Sequence, residues 1–473
     1  MNTVPTSAPV GDDRVVVRNP FDGTVLGHVP RHGPEDVDRA CLAAQDMLDA
    51  NLRGRIFPQH ARAATLDRAA ALLEAQSDAF ARLISSEAAK PITAARGEVA
   101  RCIDTLRFSA AEARSLVGEM VPMEASEPGT GRLGFALRVP LGVIAAITPF
   151  NFPLNLVAHK VAPAIAAGCP VVLKPAPQTP LTSLRFVALL EEAGMPDGWV
   201  QTLTDGGREA GEALVSHPVP RMVTFTGSVG VGWAIAAAAP KKRIALELGS
   251  NAPVIVTADA DVDLVARKVR AGGFSYAGQS CISVQRVLVD RTVHAALRDA
   301  LTLEVGQIVV GDPAAETTEV GPMISERETE RLRGWIDDAA AAGATVLVGG
   351  KIDDGIMLPT VIDNPPADAA LCRREAFGPV VVIIPFDTLD EAFAIANDTD
   401  FGLHASIFTD DLGVAMRAVR ELDFGGVVVN DVPTVRVDQQ PYGGVRDAGN
   451  TREGPAHTVR EMTELRFVSL PLG

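Results

Sequence analysis

No CxxC pair occurs anywhere in this chain, and its five cysteines, Cys41, Cys102, Cys169, Cys281 and Cys372, are scattered and odd in number. That excludes a structural zinc cluster of the usual ligand spacing, so no metal is expected, and it argues against a full disulfide framework. A reducing cytoplasm is the compartment implied. Positive charge is short too: 43 Lys and Arg face 59 Asp and Glu, for a net charge of -16. An acidic surface repels phosphate backbones and anionic lipid, so neither nucleic acid nor membrane is expected as a main partner. An anionic small substrate would need local arginines working against that field. No apolar run reaches membrane-spanning length; "VIAAITPFNFPLNLVAHKVAPAIAAG" comes nearest and is broken by prolines, an Asn and a Lys. The start, "MNTVPTSAPVGDDR", has no basic segment followed by an apolar run, so no signal peptide is expected. Internal repeats and low-complexity linkers are absent as well.

What is present is 473 residues, 47% hydrophobic and 22% charged, the make-up of a soluble globular protein too long for one core. From about Pro34 to Gly118 the pattern is helical, with Leu66, Ala69, Leu73, Phe80 and Ile84 at near-helical spacing and a break at Pro91. "VPMEASEPGTGRLGFALRVP" then reads as a β-hairpin turning at "EPGTG". Beyond it, strand-like runs ("VIAAIT", "PVVLKP", "RMVTFTGS") alternate with helices such as "SLRFVALLEEAGMP". A second such set contains "APVIV", "RVLVD", "VVVIIPF" and "GVVVN", with "RETERLRGWIDDAAAAG" as a helix. Continuous apolar strands separated by helices mean parallel sheets buried on both faces. The expected fold is α/β: two parallel-sheet domains with a small β appendage.

Ligands in such sheets bind at the carboxyl ends of strands. There the sequence places Asn151 in "ITPFNFP", an amide able to donate to a developing oxyanion. Lys174 stands just past "PVVLK". Gly227 and Ser228 lead into a helix whose N-terminus could approach a pyrophosphate. Glu247 is set within the apolar run "ALELGSNAP", where an unpaired carboxylate needs a partner or a task. Cys281, in "YAGQSCISVQR", has small and polar neighbours and follows a Gly-rich run. That is a backbone able to bend and present a thiol.

In this order the motifs "ITPFNFPL", "LKPAPQTPLT", "FTGSVGVG", "ELGSNAPVIV", "YAGQSCISVQR", "REAFGPVVVI", "GLHASIFT", "VND" and "PYGGVRDAG" resemble the aldehyde dehydrogenase superfamily over nearly the whole chain. The resemblance is strongest to its lactaldehyde, non-phosphorylating glyceraldehyde-3-phosphate and phosphonoacetaldehyde branch. It implies NAD(P)-dependent oxidation of an aldehyde to the acid. Cys281 would be the nucleophile, Asn151 and the Cys281 N–H the oxyanion donors, and Glu247 the base for thioester hydrolysis. It implies NAD or NADP held in a Rossmann-like domain by Lys174, Gly227, Ser228, Glu375, Phe377, Thr148 and Pro149. Pro177 stands where NAD-preferring members often carry a ribose-binding glutamate, which makes NADP acceptable. The tail "RDAGNTREG" departs from the family's more usual lysine, serine and glycine pattern.

His159, Arg101 and Arg436 fall at expected substrate-tunnel positions, pointing to an aldehyde with a hydroxyl, carboxylate, phosphate or phosphonate. Ser280, where some phosphate- or phosphonate-handling relatives place an arginine, weighs against a doubly charged tail. The implied division is residues 1–118 and 140–248 for the cofactor, 249–447 for catalysis, and 119–139 and 448–473 for assembly into a homodimer or homotetramer. A CoA-acylating semialdehyde dehydrogenase is the rival within the family, opposed by Glu247. A catalytically silent binding member is the other, opposed by Cys281, Asn151 and Glu247 together.

Overall fold

The structure, a computed structural model, describes residues 14–205 and 207–473; the leader reading over residues 1–13 lies outside them. Four helices, Pro34–Gly54, Gln59–Ala75, Ser77–Ala88 and Ile92–Ser115, fill the stretch expected to be helical. Leu66, Ala69, Leu73, Phe80 and Ile84 are all fully buried within their shared core. Each helix gains its stability by burying such a face, since short helices alone are marginal in water. Among the described residues no helix is long and apolar enough to cross a membrane.

Two sheets organise the rest. The first has five strands in the order Val200–Thr202, Val171–Lys174, Ile144–Ile147, Met222–Thr226, Arg243–Glu247, and every pairing is parallel. The chain starts at the centre, moves out to one side and then restarts on the other. Its switch point therefore lies between Ile144–Ile147 and Met222–Thr226, where a crevice opens at the strand ends. The second sheet has seven strands, with Ala252–Val256 and Val284–Asp290 near its middle. Only its edge strand, Thr345–Val348, runs antiparallel.

The appendage is a three-stranded antiparallel sheet rather than a lone hairpin. Arg132–Pro140 lies between Glu119–Val121 and the tail strand Thr463–Pro471, which pairs with it along nine residues. "EPGTG" does not make a tight hairpin turn. The link folds as two 3-10 turns, Met123–Ala125 and Glu127–Gly129. Pro122 and Pro128 cannot donate to a ladder, and a Cβ on Gly129 would lie 1.8 Å from the Met123 carbonyl. Within the expected 448–473 segment only Thr463–Pro471 joins this sheet. Helix Pro455–Glu461 turns inward, and Val459 and Met462 sit in the same core as helices Gln59–Ala75, Ser77–Ala88 and Ile92–Ser115.

Candidate active site

Asn151 owes its place to a buried ion pair. Strand Ile144–Ile147 runs straight into Thr148, Pro149, Phe150 and Asn151, before helix Asn155–Ala167 begins. The Leu154 and Asn155 N–H groups at that helix start donate to Glu98 Oε1 at 2.9 and 3.1 Å. Glu98 Oε2 in turn accepts from Lys90 Nζ at 2.5 Å, with both side chains fully buried. Lys90 also lies over the Phe152 ring, 3.7 Å from its centroid. The loop is fixed from beneath, and Asn151 Nδ2 donates to the Gln279 carbonyl at 2.9 Å. The amide's second N–H remains for another acceptor.

The cysteine loop is bent as its Gly-rich approach suggested. Helix Val262–Phe274 ends, and Tyr276, Ala277 and Gly278 follow with φ of 51°, 52° and 66°. Successive left-handed residues are costly for side chains bearing a Cβ. At Gly278 glycine is also required sterically, because a Cβ would meet the Gly378 carbonyl at 2.1 Å. The turn delivers Cys281 Sγ to 2.8 Å from Tyr442 Oη. Burial pushes the thiol up to about 12, while the Tyr442 hydrogen bond and the Arg436 charge pull it down.

Glu247 ends its strand beside the same "PYGG" turn: a Cβ on Gly443 would lie 2.9 Å from Glu247 Oε1. Among the described residues, both of its carboxylate oxygens are buried without a hydrogen-bond partner. Burial first, and then the Glu453 charge, raise its pKa well above the carboxylate range, against Arg436, Lys160 and Arg452. One short turn therefore touches both the thiol, through Tyr442, and the carboxylate, through Gly443.

The switch-point crevice is polar and under-satisfied. Thr148 Oγ1, Thr226 Oγ1 and Ser250 Oγ are buried there without partners among the described residues, the state a hydrogen-bonding ligand would relieve. Gly227 donates its N–H to the Glu247 carbonyl at 3.1 Å, and Ser228 stands just before helix Val229–Ala238 without its side chain capping it, leaving the first N–H groups free. Lys174, at the end of its strand, has its pKa lowered by burial, with Asp205 opposing. Across the crevice Glu375 Oε1 accepts from the Ser250 N–H at 3.0 Å, and burial pushes Glu375 up to about 7. Phe377, at φ 44°, meets Phe150 edge to face at 5.9 Å. These groups fit a dinucleotide: unpaired donors for phosphates, carboxylate and lysine for ribose hydroxyls, and an aromatic wall.

His159, Arg101 and Arg436 converge, but none stands alone. Arg101 donates from Nε and Nη2 to Asp438, at 3.2 and 2.8 Å. His159 is fully enclosed and donates from Nε2 to Asp438 Oδ1 at 2.8 Å. Arg436 Nη2 donates to Glu453 Oε1 at 2.6 Å, and its guanidinium lies 3.7 Å above the Tyr442 ring. Among the described residues, Arg436 Nε is buried with no partner. Sequence reasoning missed Tyr442, Asp438, Glu453 and Lys160. The polar run "VRVDQQPYGG" hinted at Asp438 and Tyr442, whereas Glu453 and Lys160 lie outside it and carried no signal.

The chain matches the model of the "Aldehyde dehydrogenase family" over residues 8–468. It is 44% identical over 460 residues to a 3-sulfolactaldehyde dehydrogenase of Priestia aryabhattai, covering 97% of this chain and 95% of that one. Two solved structures superpose with a TM-score of 0.93. One is aldehyde dehydrogenase 21 of Physcomitrella patens in complex with its reaction product succinate, at 37% identity, covering 98% of this chain and 97% of that one. The other is the glyceraldehyde-3-phosphate dehydrogenase GapN of Methanocaldococcus jannaschii complexed with NADP, at 35% identity, covering 98% and 100%.

Proposed function

The chain belongs to the aldehyde dehydrogenase family, and on that premise we propose that it oxidises a small aldehyde with an anionic or hydroxyl-bearing tail. Cys281 is the nucleophile, and the dehydrogenase depends on NAD(P). The observation that carries the tail assignment is Arg436: a buried guanidinium with Nε unpartnered, stacked on the tyrosine that touches Cys281 Sγ. A buried unsatisfied donor is costly, and an anionic oxygen is the acceptor that suits it best. The relatives agree in kind, one named for a sulfonated aldehyde and another solved with a dicarboxylate product.

The Cys281 thiol, which burial holds protonated, first gives its proton to solvent. The Tyr442 hydroxyl, whose own pKa burial raises well above normal, stays protonated and donates to the thiolate so formed. The thiolate adds to the aldehyde carbon, and the resulting oxyanion is held by the second Asn151 N–H and the Cys281 backbone N–H. Bound NAD(P)+ supplies the hydride acceptor. Glu247 then takes a proton from water as that water attacks the thioester, releasing the carboxylate and restoring the thiolate. Lys174, Ser228 and Glu375 hold the dinucleotide. The exposed Pro177 puts no carboxylate against a 2′-phosphate, so NADP is accepted.

Arg436→Leu is expected to raise KM for succinic semialdehyde or sulfoacetaldehyde while barely changing that for propanal. Losing a charge-assisted hydrogen bond costs about 1.5–3 kcal/mol, or about ten- to a hundredfold in kcat/KM. Equal effects on charged and neutral aldehydes would make Arg436 structural and the substrate a plain aliphatic or aromatic aldehyde.

The β appendage carries exposed apolar side chains, Met120, Leu137, Leu465, Phe467 and Leu470, and we infer that it pairs with a second copy of the chain. Removing residues 463–473 should give monomers or aggregates by light scattering. An unchanged oligomer would place the interface elsewhere.

A further inference from the structure

Asp438 takes no part in the chemistry above, yet it organises the far end of the same site. Its side chain is 4% exposed and gathers Arg101 Nε and Nη2, Asn155 Nδ2 at 3.1 Å and His159 Nε2. Burial alone would raise its pKa, but hydrogen bonds from His159 and Arg101 hold it well below the usual carboxylate range, so it stays charged.

The consequence is a charge balance. Arg101, Arg436 and Lys160 face this site, with Arg452 also near Glu247. Asp438 takes up Arg101 in a two-pronged pair. Glu453 lies between the other two, 2.6 Å from Arg436 and 3.5 Å from Lys160. His159 is neutral, because burial lowers its pKa, and burial raises that of Glu247 well above the carboxylate range. Both carboxylates are thereby engaged, and among the described residues the Arg436 Nε donor stays buried without a partner. Two free arginine forks would suit a dianion; here one fork is already filled from within the chain.

We propose that Asp438 is a specificity-determining residue that confines the substrate to a singly charged tail, carboxylate or sulfonate, by occupying the Arg101 guanidinium. This rests on the reading that the tail meets Arg436. A phosphate or phosphonate, with its second charge, would bring an anion towards Asp438, whose neighbouring Arg101 is already paired.

Sulfoacetaldehyde and phosphonoacetaldehyde differ in one tail atom, and propanal serves as the neutral reference. The three are compared above the second ionisation of the phosphonate. Wild type should prefer the sulfonate. Asp438→Asn, which frees Arg101, should shift the sulfonate-to-phosphonate ratio of kcat/KM towards the phosphonate by about tenfold or more. Arg101→Met/Asp438→Asn, which removes both charges, should return the ratio to near wild type. If the single variant is too slow to assay, competitive binding of sulfoacetate against phosphonoacetate to the same proteins reads the same ratio without turnover. An unchanged ratio in Asp438→Asn, or one that the double variant fails to reverse, overturns the role of Asp438. Wild type that handles propanal as well as either anion overturns the anionic-tail reading instead.

Discussion

Cys281→Ala is expected to remove dehydrogenase activity, by at least about 10⁴-fold, while leaving the fold and dinucleotide binding unchanged. Deleting a nucleophile that works within a set of groups costs about as much as deleting the set. Three features single out Cys281. It is only partly enclosed, whereas the other four cysteines are buried. It follows three left-handed residues whose cost is repaid only by where they aim the next few residues. Its Sγ lies 2.8 Å from the Tyr442 hydroxyl. Alanine removes the Sγ–Tyr442 contact and nothing else of the turn, which is held by Gly278 against Gly378 and by Gln279 against Asn151. Dehydrogenase turnover in this variant above the threshold just given would transfer the nucleophile elsewhere. Loss of dinucleotide binding, read by fluorescence titration, would make the cysteine part of the scaffold.

The groups that a short window could reveal are those whose setting is anomalous locally. Asn151 follows a fully apolar strand into a proline-rich turn, Glu247 interrupts an apolar run, and Cys281 follows glycines. Both parallel sheets were legible for a related reason: strands buried on both faces read as unbroken apolar runs. The edge strand Thr345–Val348 and the hairpin of Arg14–Arg18 with Val25–Pro30 are partly exposed and escaped notice. The ionic network was illegible because its bonds span the chain. Asp438 is 337 residues from Arg101 and 279 from His159. No local pattern says that an arginine on a long helix is already taken. His159 was ambiguous for another reason. Every residue of helix Asn155–Ala167 is buried, so no polar face showed which way the imidazole points. The 448–462 segment was misread as tail for want of length; its helix is seven residues long.

Glu247→Gln is expected to separate the two halves of the reaction. The acyl-enzyme should form and then persist, giving a burst of about one NAD(P)H per active site followed by near-arrest. Glutamine keeps the shape and the neutral charge that the buried carboxylic acid already has, but it cannot accept a proton. Because burial and Glu453 raise the pKa of Glu247, its basic form is scarce at low pH. Hydrolysis in wild type should therefore accelerate as pH rises towards that pKa, and the variant should lose this dependence. Stability runs the other way. A carboxyl whose pKa is raised on folding binds more protons folded than unfolded, so its contribution falls as pH climbs above the unfolded carboxylate value. Glu247→Gln should then melt no lower than wild type, and higher than it at alkaline pH. That result would show the arrest to be chemical rather than a folding defect. Loss of the burst itself would place Glu247 before hydride transfer, as the base that draws the proton from Cys281, whose thiol burial also holds protonated.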